Sequence, residues 1–241
     1  MNKRICILLV CAGLWVSKVE SIVGGHTSLP DAAPYVVSVQ NPTHVCGGVI
    51  VSTNWVLTTA SCVKDAQNLK VLVGSHRLLT NMKRTNVSSI HSHSAYNSST
   101  GINNIALLKL AEAVAADRVI GLNDIAVTTG LPTAFYGWGS PTYGSSTKSN
   151  SLQTLFQRTL SRTDCAKKYG TLAEVKLGQI CAHIQPGQAA CSKDQGGPLV
   201  SYNSNKLLGI YDYGVQCSGR YPDVFVDVAA HKSWIDTTMS Q

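Results

Sequence analysis

Eleven short runs of β-favouring residues, separated by turn-forming segments, most narrow what this 241-residue chain can fold into. They lie at 34–40, 46–52, 55–60, 70–74, 105–110, 132–139, 152–160, 179–184, 197–202, 206–214 and 223–228. Runs this short, at this spacing, suit barrels or sandwiches. Only 161–170 and 231–241 read as helices. The turn-rich stretch around 121–131 divides the chain into halves, 22–125 and 126–230, with 231–241 as a terminal helix. With 44% hydrophobic residues, a chain of this length can bury a core without a metal or dense cross-linking.

The first 21 residues stand apart. Asn2-Lys3-Arg4 is a basic head, Ile5 to Val16 is an apolar run, and Val19-Glu20-Ser21 offers small or medium side chains before a cut. This is the pattern of a secretory signal peptide, so a secreted chain starting at Ile22 is expected. The run is too short to span a bilayer as an ordinary helix, and no membrane association is expected. Residues 22–241 carry seventeen Lys and Arg against twelve Asp and Glu, a net charge of +5. The basic residues are scattered, which reads as solvated surface and argues against a nucleic-acid partner.

Six cysteines remain beyond the leader: Cys46, Cys62, Cys165, Cys181, Cys191 and Cys217. An even count in a secreted chain argues for three disulfides, with fifteen pairings open. No spacing reads as a zinc site. Asn86-Val87-Ser88 and Asn97-Ser98-Ser99 are N-glycosylation acceptor patterns, expected on surface loops.

Several motifs occur in a telling order: Ile22-Val23-Gly24-Gly25, Cys46-Gly47-Gly48, Thr58-Thr59-Ala60-Ser61-Cys62, Asn104-Ile105-Ala106-Leu107-Leu108, Gly137-Trp138-Gly139, Cys191-Ser192-Lys193-Asp194-Gln195-Gly196-Gly197-Pro198, and Trp234-Ile235. Together they resemble the chymotrypsin-like serine proteases over essentially all of 22–241. The resemblance implies an all-β fold of two six-stranded antiparallel barrels with a C-terminal helix. It also implies the pairs Cys46–Cys62, Cys165–Cys181 and Cys191–Cys217.

Acyl transfer in that family needs a hydroxyl nucleophile, an imidazole base and a carboxylate that orients the imidazole. The resemblance places the imidazole at Ser61, the carboxylate at Asn104 and the nucleophile at Gln195. A serine is no base near neutral pH, and an amide is no nucleophile. Replacing the carboxylate by its amide lowers turnover about 10⁴-fold in a member of the family. Lys193 stands where the family has a glycine whose N–H helps hold the oxyanion, which puts that donor's geometry in doubt. All three triad positions are thus substituted, and no catalytic role is expected for Ser61, Asn104 or Gln195.

The substrate pocket departs from the family as well. Its floor is Ala189, without a carboxylate for Arg or Lys. Tyr211 and Asp223 are larger than the residues usual on its walls, so a filled or narrowed pocket is expected, with Asp212 and Tyr213 beside it. Asp212 stands where the family has a serine facing the triad carboxylate. Two adjacent buried carboxylates would repel, so Asn104 is expected to donate its amide protons to Asp212. The family's buried pair between a new amino terminus and a carboxylate falls on Ile22 and Asp194. No Asp or Glu occurs from Gly74 to Asn104, so neither a calcium site nor any other metal or cofactor is expected. The seven histidines read as structural or surface residues, with His91 and His93 able to approach the cleft.

The export signal ending at Ser21 directly before Ile22-Val23-Gly24-Gly25, the three disulfides and the substituted triad resemble the scabies mite inactivated protease paralogues. That resemblance implies a secreted, catalytically inactive monomer that binds host proteins, with inhibition of complement components as its role. Two other readings stay open: a decoy that holds substrates or inhibitors in the old cleft without cutting, and residual hydrolysis by a group such as Ser192 with a loop histidine.

Overall fold

The computed structural model describes residues 22–241; the export leader expected at 1–21 lies outside the described residues. A two-residue strand, β1 (His26–Thr27), leads into the first barrel: β2 (Val36–Gln40), β3 (His44–Ser52), β4 (Trp55–Thr58), β5 (Lys70–Leu72), β6 (Arg84–Ser92) and β7 (Ala106–Leu110). These strands close antiparallel in the order β2-β3-β4-β7-β6-β5. After a 3-10 turn at Ala116–Arg118 and β8 (Gly121–Leu122), the second barrel follows. Its strands are β9 (Pro132–Gly137), β10 (Gln153–Leu160), β11 (Gln179–His183), β12 (Pro198–Ser201), β13 (Lys206–Tyr213) and β14 (Asp223–Asp227). They close as β9-β10-β11-β14-β13-β12, with β12 returning to β9. The expected pair of six-stranded antiparallel barrels is therefore the observed fold.

Alternation along the strands divides the core. On β7, Ala106, Leu108 and Leu110 fill the first barrel, while Leu107 joins Trp55, Leu57, Trp138, Leu207 and Val226 between the barrels. Side chains on successive strand residues point to opposite faces, so one strand serves both layers. Phe135, Leu155, Ile180, Leu199, Tyr211 and Phe225 fill the second barrel, and Ile22 joins them. Three disulfides, Cys46–Cys62, Cys165–Cys181 and Cys191–Cys217, cross-link the loops in the pairing the resemblance implied.

Three short helices complete the described residues: α1 (Ala60–Val63), α2 (Arg162–Tyr169) and α3 (Val228–Met239). The Ser161 side chain caps α2 by accepting from Asp164 N–H, and Gly170 at φ +57° ends it. The terminal helix begins at Val228, three residues before the expected start, because the Asp227 carboxylate accepts from Ala229 N–H and caps it there.

Strand β6 is a second departure from expectation. It has no apolar run, with only Val87 and Ile90 as large apolar residues, yet it pairs with both β5 and β7 and closes the barrel. Asn86 consequently lies on an exposed strand and not in a loop, because Lys70 pairs with it in register. Asn97 is in the expected surface turn, where its Oδ1 accepts from Ser99 and Thr100 N–H. The line drawn at residue 125 is crossed twice. Strand β1 pairs with β10 and β8 pairs in parallel with β13, so segments 26–27 and 121–122 both belong to the second barrel's sheet.

Candidate functional site

The barrels meet along an open cleft of about 560 Å³, with Ser61, Cys62, Asn104, Lys193, Gln195 and Asp212 among its lining residues. The fold thus brings together the three positions where the resemblance places a triad. Ser61 comes from α1, Asn104 from the turn before β7, and Gln195 from the turn before β12.

Asn104 is buried, 4% exposed, and all its hydrogen-bonding capacity toward its neighbours is used. Its Oδ1 accepts from Ser61 N–H at 2.8 Å, and its Nδ2 donates to Asp212 Oδ1 at 2.7 Å and to Ser61 Oγ at 3.1 Å. This orientation is the only one that gives the Ser61 amide an acceptor and the Asp212 carboxylate a donor. Gln179 Nε2 donates to the other Asp212 oxygen at 2.9 Å. Burial pushes Asp212 up to about 6, and the two amide hydrogen bonds pull the other way. Asn104 donates to Asp212 as expected from the exchange of an amide for a carboxylate. Ser61 Oγ itself donates to Thr59 Oγ1 at 3.2 Å, so no base stands beside it.

The turn holding Gln195 is wound tightly against the first barrel. Gln195 O accepts from Gly47 N–H at 2.8 Å. At Gly196, φ is +78°, and an added Cβ would lie 2.4 Å from Gly47 O, so only glycine fits. Lys193 takes φ +73°, a left-handed conformation that a side chain resists. Its N–H is nevertheless occupied: Gln195 Oε1 accepts it at 3.0 Å. The Gln195 amide, at the position the resemblance assigns to a nucleophile, folds back and caps the N–H the resemblance assigns to an oxyanion. Behind this turn, buried His44 sits between Ser38 Oγ at 2.8 Å and Lys193 O at 3.0 Å. Burial lowers its pKa to about 4, with the Lys148 and Lys193 charges adding to that, so the ring is neutral.

The residues that the resemblance assigns to a substrate pocket lie deeper than the cleft, and of them only Asp212 lines it. Ala189 exchanges two backbone hydrogen bonds with Val23. The Asp223 carboxylate, 2% exposed, accepts from Ala190 N–H at 2.9 Å and from Gln157 Nε2 at 2.8 Å. Tyr211 is buried with its ring 5.6 Å from Phe135 and 5.7 Å from Phe225. A Cβ on Gly214 would lie 2.8 Å from Asp223 Oδ1 and 2.9 Å from the Tyr211 hydroxyl. Asp223 and Tyr211 therefore reach across from the Ala190 side to the Gly214 wall. Tyr213 is half-buried at the edge, against the cluster around Tyr169. Burial pushes Asp223 up to about 7, against the hydrogen bonds from Ala190 and Gln157.

Asp194 is fully buried and accepts from Gly139 N–H at 2.7 Å and Cys191 N–H at 2.9 Å. Burial raises its pKa to about 7, against those two bonds. Ile22, which the resemblance pairs with it through a free amino group, is buried in the second barrel's core.

The loop histidines go elsewhere. His91 meets Ser89 Oγ at 2.9 Å and the Trp55 ring, and His93 packs on Trp234 and His231, so neither lines the cleft. Among the described residues no group of three His, Cys, Asp or Glu is placed to hold a metal. Gln157 and Gln179, which hold the two pocket-side carboxylates, escaped the sequence reading. Their one signal is polarity at buried positions of β10 and β11.

A family model described as Trypsin matches residues 22–235. The chain is 35% identical over 222 residues to Trypsin delta of Drosophila melanogaster, covering 89% of this chain and 87% of that protein. It is 33% identical over 229 residues to Trypsin I-P1 of Gallus gallus, covering 92% and 90%. Among solved structures it is similar to neuropsin, a serine protease expressed in the limbic system of mouse brain. That likeness has a TM-score of 0.82 at 28% identity, over 90% of this chain and all of that one. Two closed barrels, a cleft between them and these relatives together place the chain in the trypsin family of serine proteases.

Proposed function

We propose that this chain is a secreted, catalytically inactive member of the family that acts by binding a protein through its surface loops. The observation that carries the proposal is the Gln195 side chain accepting the Lys193 N–H at 3.0 Å, which fills the oxyanion donor from the nucleophile's own position. Around it, Asn104 and Ser61 satisfy each other without supplying a base. Losses within one catalytic unit are not additive, so restoring one position restores little. Host complement components are the proposed partners, a choice that rests on the resemblance to the mite paralogues. The named relatives are proteases; the proposal separates this chain from them on Ser61, Asn104, Lys193 and Gln195.

Two measurements test it. A serine-directed covalent probe and a broad peptide library, run beside trypsin, should give neither label nor product; a labelled serine overturns inactivity. Capture from host serum should recover complement components, and their absence overturns the assigned partner.

A second reading, a decoy that holds substrates or inhibitors without cutting, is favoured by one feature: the cleft remains open at about 560 Å³. Against it stands the reach of Asp223 and Tyr211 across the pocket. Substitutions in the cleft that abolish partner binding would favour the decoy; substitutions confined to surface loops that do so would favour the first reading.

A further inference from the structure

Folding redistributes the charge of this chain. Of the twelve acidic residues in 22–241, Asp194, Asp212 and Asp223 are buried, whereas no Lys or Arg is. Solvent therefore meets seventeen cations and nine carboxylates. Five of those nine, Glu112, Asp124, Asp164, Glu174 and Asp236, are already paired with lysines.

Several of the remaining cations gather around the turn between β2 and β3. On one flank, Lys148 Nζ donates to Thr43 Oγ1 at 3.2 Å and His44 O at 3.3 Å. His44 Nε2 in turn meets Lys193 O, which places exposed Lys193 on the same flank. On the other flank a groove of about 460 Å³ is lined by Gln40, Asn41, Pro42, Asn68, Lys70 and Arg84. Gln40 on β2 pairs with Lys70 on β5, and Arg84 on β6 donates to Gln40 Oε1 at 3.2 Å. Arg84 also donates to the carbonyls of Thr80 and Met82, which fixes the guanidinium without neutralising it. No Asp or Glu occurs in 32–64, 66–111 or 125–163, the segments that supply most of this surface.

We propose that this strip, from Lys193 at the cleft rim over the turn at 41–43 to Lys70 and Arg84, docks an acidic segment of a partner protein. Four cations interspersed with the amides of Gln40, Asn41 and Asn68 match a peptide that offers both carboxylates and backbone groups. A nucleic acid, whose affinity comes from neutralising a run of phosphates, would find only four cations here. The proposal adds a partner chemistry to the binding function above but rests on charge and contact geometry, so detection of hydrolysis would overturn that function and leave the strip standing.

The test is fluorescence anisotropy of a labelled oligoglutamate peptide against the whole secreted protein, at low and at physiological salt. Binding should weaken as salt rises, since exposed charges are screened. Lys70→Glu with Lys148→Glu should weaken it about tenfold or more, while Arg162→Glu with Lys168→Glu on α2, an equal change in net charge, should weaken it less than about twofold. Urea midpoints check that the variants are folded, and Lys70→Ala with Lys148→Ala replaces the reversal if it is not. Failure of the unaltered protein to bind, equal weakening by the two pairs, or tighter binding of a heparin oligosaccharide than of the peptide would overturn the proposal.

Discussion

Asn104→Asp introduces the carboxylate that the resemblance places at this position, and the hydrogen bond to Asp212 says it should destabilise this protein in a pH-dependent way. The amide donates to Asp212 Oδ1 at 2.7 Å, so the substitution sets a second carboxyl oxygen at that distance from the first. Two ionised carboxylates so close would repel by about 6 kcal/mol at an effective dielectric constant of about 20. The folded protein avoids this by keeping one extra proton between them, as an O–H donor in place of the N–H. In the unfolded chain the new aspartate is ionised above its pKa of about 3.9. Burial already keeps a proton on Asp212 up to about pH 6 in the unaltered protein, so the variant's proton is an extra one only above that value. Holding it costs about 1.4 kcal/mol per pH unit there, hence almost nothing at pH 5 and about 1.4 kcal/mol at pH 7. The pair's folded pKa is raised above that of Asp212 alone, so the loss is absent below about pH 5 and grows as pH rises. Urea unfolding of the two proteins at pH 5, 6 and 7 measures the difference directly. A difference that does not grow between pH 5 and pH 7 would refute the carboxylate-amide pairing as the reason for Asn104.

Three further outcomes are expected. Asp223→Asn keeps the acceptor for Ala190 N–H and removes a carboxyl that burial pushes to about 7; it should stabilise the protein by up to about 4 kcal/mol at pH 8 and by nothing near pH 4, because a raised folded pKa costs stability only as pH climbs past the unfolded value. Lys193→Gly relieves a side chain held at φ +73° and should raise Tm by about 2–4 °C in calorimetry, the equivalent of about 1 kcal/mol. Gln195→Ser supplies a hydroxyl with no base at Ser61 to activate it, and peptide hydrolysis should stay at background; turnover in this single variant would contradict the reading of Ser61.

The barrels were legible because apolar alternation is strong where a strand serves two layers, as in Leu107 and Leu108, which face opposite cores from adjacent positions. Strand β6 was not, because its outer face, Ile90 included, is solvated and its inner face holds little beyond Val87; hydrogen bonding to two neighbours holds it in place of burial. The Asn104–Asp212 contact could be anticipated from the incompatibility of two buried carboxylates. The Gln195–Lys193 bond could not: the glycine position at Lys193 pointed to an unusual backbone there, but not to a side chain two residues on folding back to accept its N–H. Charge was least legible: basic residues scattered along the chain reveal no strip until β2, β5 and β6 lie side by side and three carboxylates are withdrawn from the surface.

Strands β1 and β8 carry a mechanical consequence. Each is only two residues long, yet they lie on either side of the first barrel in the chain, and both are stitched to the second. In connectivity the first barrel is an excursion whose exit and return are anchored to the same foundation. Swinging the barrels apart would require tearing both stitches as well as the core shared between them. The groove between the barrels is therefore a fixed seam, and loops on either side of it can be exchanged, as on a rigid plate, without altering the angle at which the two halves present them.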